Sequence, residues 1–97
     1  QQKAQQLQLE VRQVQREEML LQDYLYHAKD AELREIQQQL EQLQQRETDL
    51  LQHARSSSGQ LLQNQQQALA LLREKRQLLA RARHRLSILG APLPPAR

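Results

Sequence analysis

The chain has 97 residues, a net charge of +3, no Cys, Phe or Trp and only two Tyr. It is therefore one domain at most, without the aromatic payload of a layered globular core. Disulfides, thiolate chemistry and cysteine metal sites are excluded, and no apolar run approaches the roughly 20 residues that span a bilayer. Leu, Ala, Gln, Glu and Arg dominate, the composition of long helices and coiled coils, so burial is expected along seams between helices.

From the start of the chain, apolar residues recur at spacings of three and four: Ala4, Leu7, Val11, Val14, Leu21, Leu25 and Ala28, with Glu18 interrupting beside Met19. A second series runs Leu33, Ile36, Leu40, Leu43, Leu50 and Ala54, with Glu47 in its gap. Both are a/d seams. They differ in phase, because Leu25 and Ile36 stand a heptad plus four apart, a stutter that unwinds a supercoil without ending the helix. No Pro or Gly falls between residues 1 and 55, and the spacing predicts a single helix over about 2–55. The chain opens on Gln1 with helical spacing and no signal-peptide pattern, and reads as an excerpt of a longer protein.

Residues 56–59, Ser-Ser-Ser-Gly, interrupt the pattern. Helix through them costs only about 2–3 kcal/mol relative to Ala, so propensity alone does not decide between a turn and a continuous rod. Ser57 with Gln60 fits a capping box, and Gly59 fits a left-handed helix end. Beyond them Leu61, Ala68, Leu72, Leu79, Ala82, Leu86 and Leu89 recur at helical spacing, with Gln65 and Lys75 as polar exceptions. Leu62, Leu69, Leu71 and Leu78 broaden this stripe to suit a helix with more than one neighbour. Gly90, followed by Pro92, Pro94 and Pro95, predicts a helix end near 89 and an extended tail over 90–97.

Folding back at 57–58 would set Leu72 by Leu43, Leu79 by Ile36, Ala82 by Leu33, and Ala68 by Glu47. It would also set Arg85 by Asp30, Arg83 by Glu32, Arg81 by Arg34 and Glu35, and Arg73, Lys75 and Arg76 near Glu41. Residues 1–55 hold seven Lys/Arg against ten Asp/Glu, and residues 56–97 seven against one, so a parallel pair would place the basic stretch beside its own copy. The expectation is therefore all-α: two long helices, about 2–55 and 60–89, folded as an antiparallel hairpin over 26–89 with its turn at 56–59. The alternative is one continuous helix in a parallel coiled-coil dimer. In the hairpin, residues 1–25 lack an internal partner, and Leu7, Val11, Val14 and Leu21 are expected to meet another coiled-coil chain, in a homo- or hetero-oligomer.

Three short segments carry candidate functions. Arg73, Lys75, Arg76, Arg81, Arg83 and Arg85 form a basic stretch that suits an acidic partner such as a microtubule, an anionic membrane or nucleic acid, although no aromatic interleaves to stack on bases. As a solvated face it would instead pair with the acidic first helix. Pro92, Pro95 and Arg97 match the P-x-x-P-x-R pattern of SH3-type ligands, and equally a helix stop and linker. Ser56–Ser58 after Arg55 offers a phosphosite. His27, His53 and His84 lack metal-ligand spacing, and no residues form a catalytic constellation, so neither enzyme nor cofactor is expected. The sequence predicts a scaffold segment of a larger cytoplasmic complex, cytoskeletal, centrosomal or trafficking, with a nuclear location not excluded, acting through helix–helix contact without a small-molecule substrate.

Overall fold

The computed structural model describes residues 2–56 and 61–91, with side chains over 5–53 and 63–91. Among the described residues three helices occur: α1 (Gln2–Tyr26), α2 (Ala31–Ser56) and α3 (Leu61–Ile88). They pack into a compact bundle, 48 × 26 × 16 Å along its principal axes. The first expected helix is thus two helices, and neither the two-helix hairpin nor the continuous rod describes the molecule.

The break falls at residues 27–30, where the sequence suggested a stutter. α1 ends as the His27 N–H donates to Asp23 O (3.1 Å) and the Ala28 N–H to Leu25 O. Asp30 then starts α2: its Oδ2 accepts the Leu33 N–H at 3.1 Å, and its backbone carbonyl accepts the Arg34 N–H at 3.0 Å. A carboxylate in that cap satisfies one of the orphan donors of the first turn and favours the positive end of the helix dipole, where Glu32 adds a second negative charge. No non-glycine residue among those described takes a positive φ, so the corner needs no glycine. Four residues therefore reverse the chain without either residue type that usually advertises a turn.

α3 ends differently. Gly90 has φ 78°, the Ala91 N–H donates to Leu86 O at 3.0 Å, and the Gly90 N–H donates to Ser87 O at 3.1 Å. This is the Schellman pattern, and Ala91 packs against the core beside it. Residues 57–60, which contain the Ser57–Gln60 box and Gly59, lie outside the described residues, as do Pro92, Pro95 and Arg97.

Direction follows from the partners. Arg46 pairs with Glu74 and Arg85 with Asp30, so α2 and α3 are antiparallel. Glu10 pairs with Arg76 and Glu17 with Arg83, so α1 and α3 run parallel. The arrangement is up-down-up. Leu21, Ile36 and Leu79, one from each helix, are the largest fully buried side chains. Val14 and Leu25 join them in the core, with Leu7 and Val11 packed against it, so the seam of residues 1–25 packs against the other two helices of the chain. The broad stripe of α3 is explained by its position: Leu71, Leu72, Leu78 and Leu79 are all buried because α3 packs against both other helices.

Spin labels at Gln15 and Gln44 test the corner at 27–30. Both residues line the crevice between α1 and α2, so the labels should lie within about 20 Å of each other. A helix continuous through the corner would separate them by about 44 Å, at 1.5 Å per residue.

Candidate functional site

Each of the three apolar stripes carries a charged interruption, and the fold brings those three together. Lys75 of α3 is 3% exposed, the one charged residue that is buried among the described residues. Its Nζ donates to Glu47 Oε2 at 2.9 Å, Glu18 Oε1 at 3.4 Å and Gln44 Oε1 at 3.5 Å. The ammonium has three protons and meets three acceptors, drawn from α1 and α2. Burying a cation without such partners would be strongly unfavourable. Burial pushes the Glu18 carboxyl above its ordinary 4.5; the Lys75 charge and hydrogen bond oppose this, and the neighbouring Glu47 charge adds to it. The expected placement of Lys75 near Glu41 and of Ala68 opposite Glu47 is replaced by Lys75 itself facing Glu47, with Glu18 as its second carboxylate.

The rest of the basic stretch is largely engaged as well. Arg76 pairs with Glu10, Arg81 with Glu32, Arg83 with Glu17 at 3.0 Å, and Arg85 with Asp30 and Glu32. The expected pairing of Arg85 with Asp30 is present in bidentate form, Nη2 to Oδ1 at 2.7 Å and Nε to Oδ2 at 3.0 Å. Arg83 faces Glu17 of α1 where Glu32 was expected, because α1 occupies the flank that a two-helix hairpin leaves open. Asp30 thus caps α2 and ties it to α3 at once. The Arg85 hydrogen bonds, with help from the Leu33 and Glu32 backbone, hold its carboxyl below the ordinary 3.8 despite the opposing effect of burial. The Asp30 cap itself was missed in the sequence; the signal was an Asp immediately before Ala31-Glu32 at the point where the apolar phase slips.

The expected interface residues divide into three groups. Val14, Leu21, Leu25, Leu33, Ile36, Leu40, Leu43, Leu72, Leu79 and Leu86 are buried; Leu7, Val11 and Leu50 are partly buried against them; Leu89 is exposed. The Leu61 side chain lies outside those described.

Three crevices run between the helices, and they differ in chemistry. The ion pairs named above straddle the α2–α3 and α1–α3 crevices, and each has one member on α3. The α1–α2 crevice instead holds an open groove of about 450 Å3. Leu25 and Leu40, both buried, form its floor, while Met19 (73% exposed) and Tyr26 (67% exposed) stand on its rim. Gln15, Gln22, Gln37 and Gln44 line its sides, with Glu18 and Glu41 the charged members. This groove was not legible from the apolar spacing, because Met19 and Tyr26 lie off the a/d series. Among the described residues no helix is long and apolar enough to cross a membrane. Comparison with known protein families, curated proteins and solved structures finds no match to this chain.

Removing Lys75 would leave Glu18 and Glu47 close together without their cation. Lys75→Ala should destabilise the bundle by about 2 kcal/mol in urea denaturation, less than the 3–5 of a fully buried pair because both carboxylates keep some contact with water. Replacing all three by apolar residues (Glu18→Leu, Glu47→Leu, Lys75→Met) should recover most of that loss.

Acid should act on the two shifted carboxyls with opposite sign. Asp30 has a lowered folded pKa, so the stability it supplies is complete above 3.8 and is lost as pH falls through its folded value. Glu18 has a raised folded pKa, so the folded state binds its proton more readily and stability declines as pH rises from 4.5 through the folded value. Chemical denaturation across pH 3–7 should show Asp30→Asn flattening the acid limb and Glu18→Gln removing the decline above 4.5.

Proposed function

We propose that the chain is a helix-assembly module, a scaffold segment that joins a larger complex through helix–helix contact. Cytoskeletal, centrosomal or trafficking assemblies of the cytoplasm are the setting that its coiled-coil composition suits best. The observation that carries this reading is the internal use of the basic stretch. Five of its six cations face carboxylates of α1 or α2, and Lys75 is buried among them. Charge in this chain goes chiefly to fixing the order and register of helices. A surface built to hold a microtubule, an anionic membrane or nucleic acid would keep those cations free for its partner. Of the six, Arg73 alone makes no ion pair among the described residues.

Charge reversal separates the two roles. Arg83→Glu with Arg85→Glu should destabilise the bundle, and Glu17→Lys with Asp30→Lys in the same molecule should restore part of the loss. The coupling should be resolvable in urea denaturation, limited by the cap that Asp30→Lys removes. The unaltered chain should bind neither anionic vesicles nor DNA with a steep dependence on salt. Absence of rescue together with steep salt dependence would overturn the assembly reading in favour of an acidic partner.

A further inference from the structure

The α1–α2 groove has the dimensions and chemistry of a seat for one more helix. From Gln15 to Tyr26 it follows three turns of α1, about 17 Å, the length over which a docked helix places anchors at i, i+3 or i+4, and i+7. Its floor is Leu25 and Leu40, and its rim is Met19 and Tyr26. Two exposed apolar side chains above a buried apolar floor are the arrangement of an unfinished helix seam. The Tyr26 ring packs edge-on against His27 with centroids 5.7 Å apart, which limits the rotamer freedom lost on docking. Methionine supplies a thioether that adapts to the shape of an incoming side chain.

Charge selects the occupant. The described lining contains two carboxylates, Glu18 and Glu41, and no cation. Glu41 Oε1 accepts only a long 3.5 Å bond from Gln37 on its own helix. Glu18 shares Lys75 with Glu47, so the ammonium beneath it does not neutralise both carboxylates. A second copy lying groove to groove would bring this acidic set against itself, a like-charge arrangement that opposes self-pairing.

Resting on the helix-assembly reading, we infer that the groove between α1 and α2 binds an amphipathic helix of another protein, one that presents Leu- or Met-type anchors flanked by Lys or Arg. The anchors lie over Leu25 and Leu40 between Met19 and Tyr26, and the flanking cations meet Glu41 and Glu18. The partner would complete a four-helix bundle and supply the positive charge that this crevice lacks.

The test uses the full 97-residue chain and two fluorescein-labelled 18-residue amphipathic peptides. They share a Leu anchor face and differ only in Lys or Glu flanks. Fluorescence anisotropy at 100 mM salt should show the Lys-flanked peptide binding at least ten-fold tighter. The chain's overall charge is +3, so a non-specific attraction would favour the Glu-flanked peptide, and the expected preference isolates the groove. Met19→Ser with Tyr26→Ser should weaken binding at least five-fold with the thermal melt unchanged, since both side chains are exposed. Leu9→Ser with Leu51→Ser, which alters exposed apolar residues outside the groove lining, should leave binding intact. Glu41→Lys should reduce the preference for Lys flanks. A preference for Glu flanks, or loss of binding only in the Leu9/Leu51 variant, would overturn the groove while leaving helix assembly standing on another face. A dimer in sedimentation equilibrium that Met19→Ser with Tyr26→Ser abolishes would assign the groove to a second copy and overturn the partner. No binding of either peptide by a chain that stays monomeric would count against both readings.

Discussion

The ammonium of Lys75 is the constraint on which the arrangement of the bundle depends. Leu and Ala stripes supply most of the burial, and at about 1.5–3 kcal/mol per well-buried Leu they supply it generously. They supply little register, because sliding one helix by a heptad replaces one apolar contact with another. Lys75 removes that freedom. It is buried, and its three acceptors come from two different helices at fixed heights, Glu18 on α1 and Gln44 and Glu47 on α2. Any slip that retains the apolar contacts leaves a cation without partners, or two carboxylates without a cation, at a cost of about 2 kcal/mol or more. The same contact disfavours a two-helix state, because detaching α1 takes Glu18 away and exposes Val14, Leu21 and Leu25 with it.

A second polar contact acts at the closed end of the bundle. Asp30 serves α2 as its cap and α3 as the bidentate acceptor of Arg85. One side chain thereby links the α1–α2 corner to the last turns of α3, whose own end is fixed about one and a half turns further on by Gly90 and Ala91. The two sites divide the work. Lys75 sets the relative heights of all three helices near their middle, and Asp30 sets where the second begins. Neither relies on an isolated surface pair, which would contribute only tenths of a kcal/mol.

The sequence carried the α2–α3 pairing clearly and the α1–α2 corner hardly at all. The matching of Leu79 with Ile36 and of Arg85 with Asp30 could be read because acid and base, and large and small, alternate in compatible order along both segments. Positions nearer residues 57–60 were misaligned: Lys75 meets Glu47 and Arg46 meets Glu74, several residues from the positions that a fold-back centred on 57–58 assigns. Long Lys and Arg stems reach about a turn along a seam, so ion pairs follow reach as well as backbone opposition. The corner was hidden for a different reason. Its residues 27–30 use neither Gly nor Pro, and a heptad-plus-four interval is shared by a stutter in one helix and by two helices meeting at a tight turn. Asp30 before Ala31-Glu32 was the one local signal that separated them. Missing it merged the first two helices of the bundle into one. The interruptions at Glu18, Glu47 and Lys75 were each visible as lapses in an apolar series; their convergence needed the third helix.

Charge also explains why the bundle closes unevenly. α1 carries three Lys or Arg against four acids and α2 three against five, whereas α3 carries six against one. Opposite charge therefore favours α3 lying against both neighbours, and its side chains bridge both of its crevices. The acidic helices gain nothing of the kind from each other. Their shared crevice holds Glu18 and Glu41 among glutamines, with an apolar floor below and exposed Met19 and Tyr26 above. Lys75 relieves the acidity from inside but has only one charge to share between Glu18 and Glu47. A basic helix that ties two acidic ones together from one side leaves the carboxylates on their opposite side unbalanced and the crevice there incompletely covered. The groove is thus a consequence of how the charge is distributed among the three helices, and the same distribution determines which sign of charge can complete it.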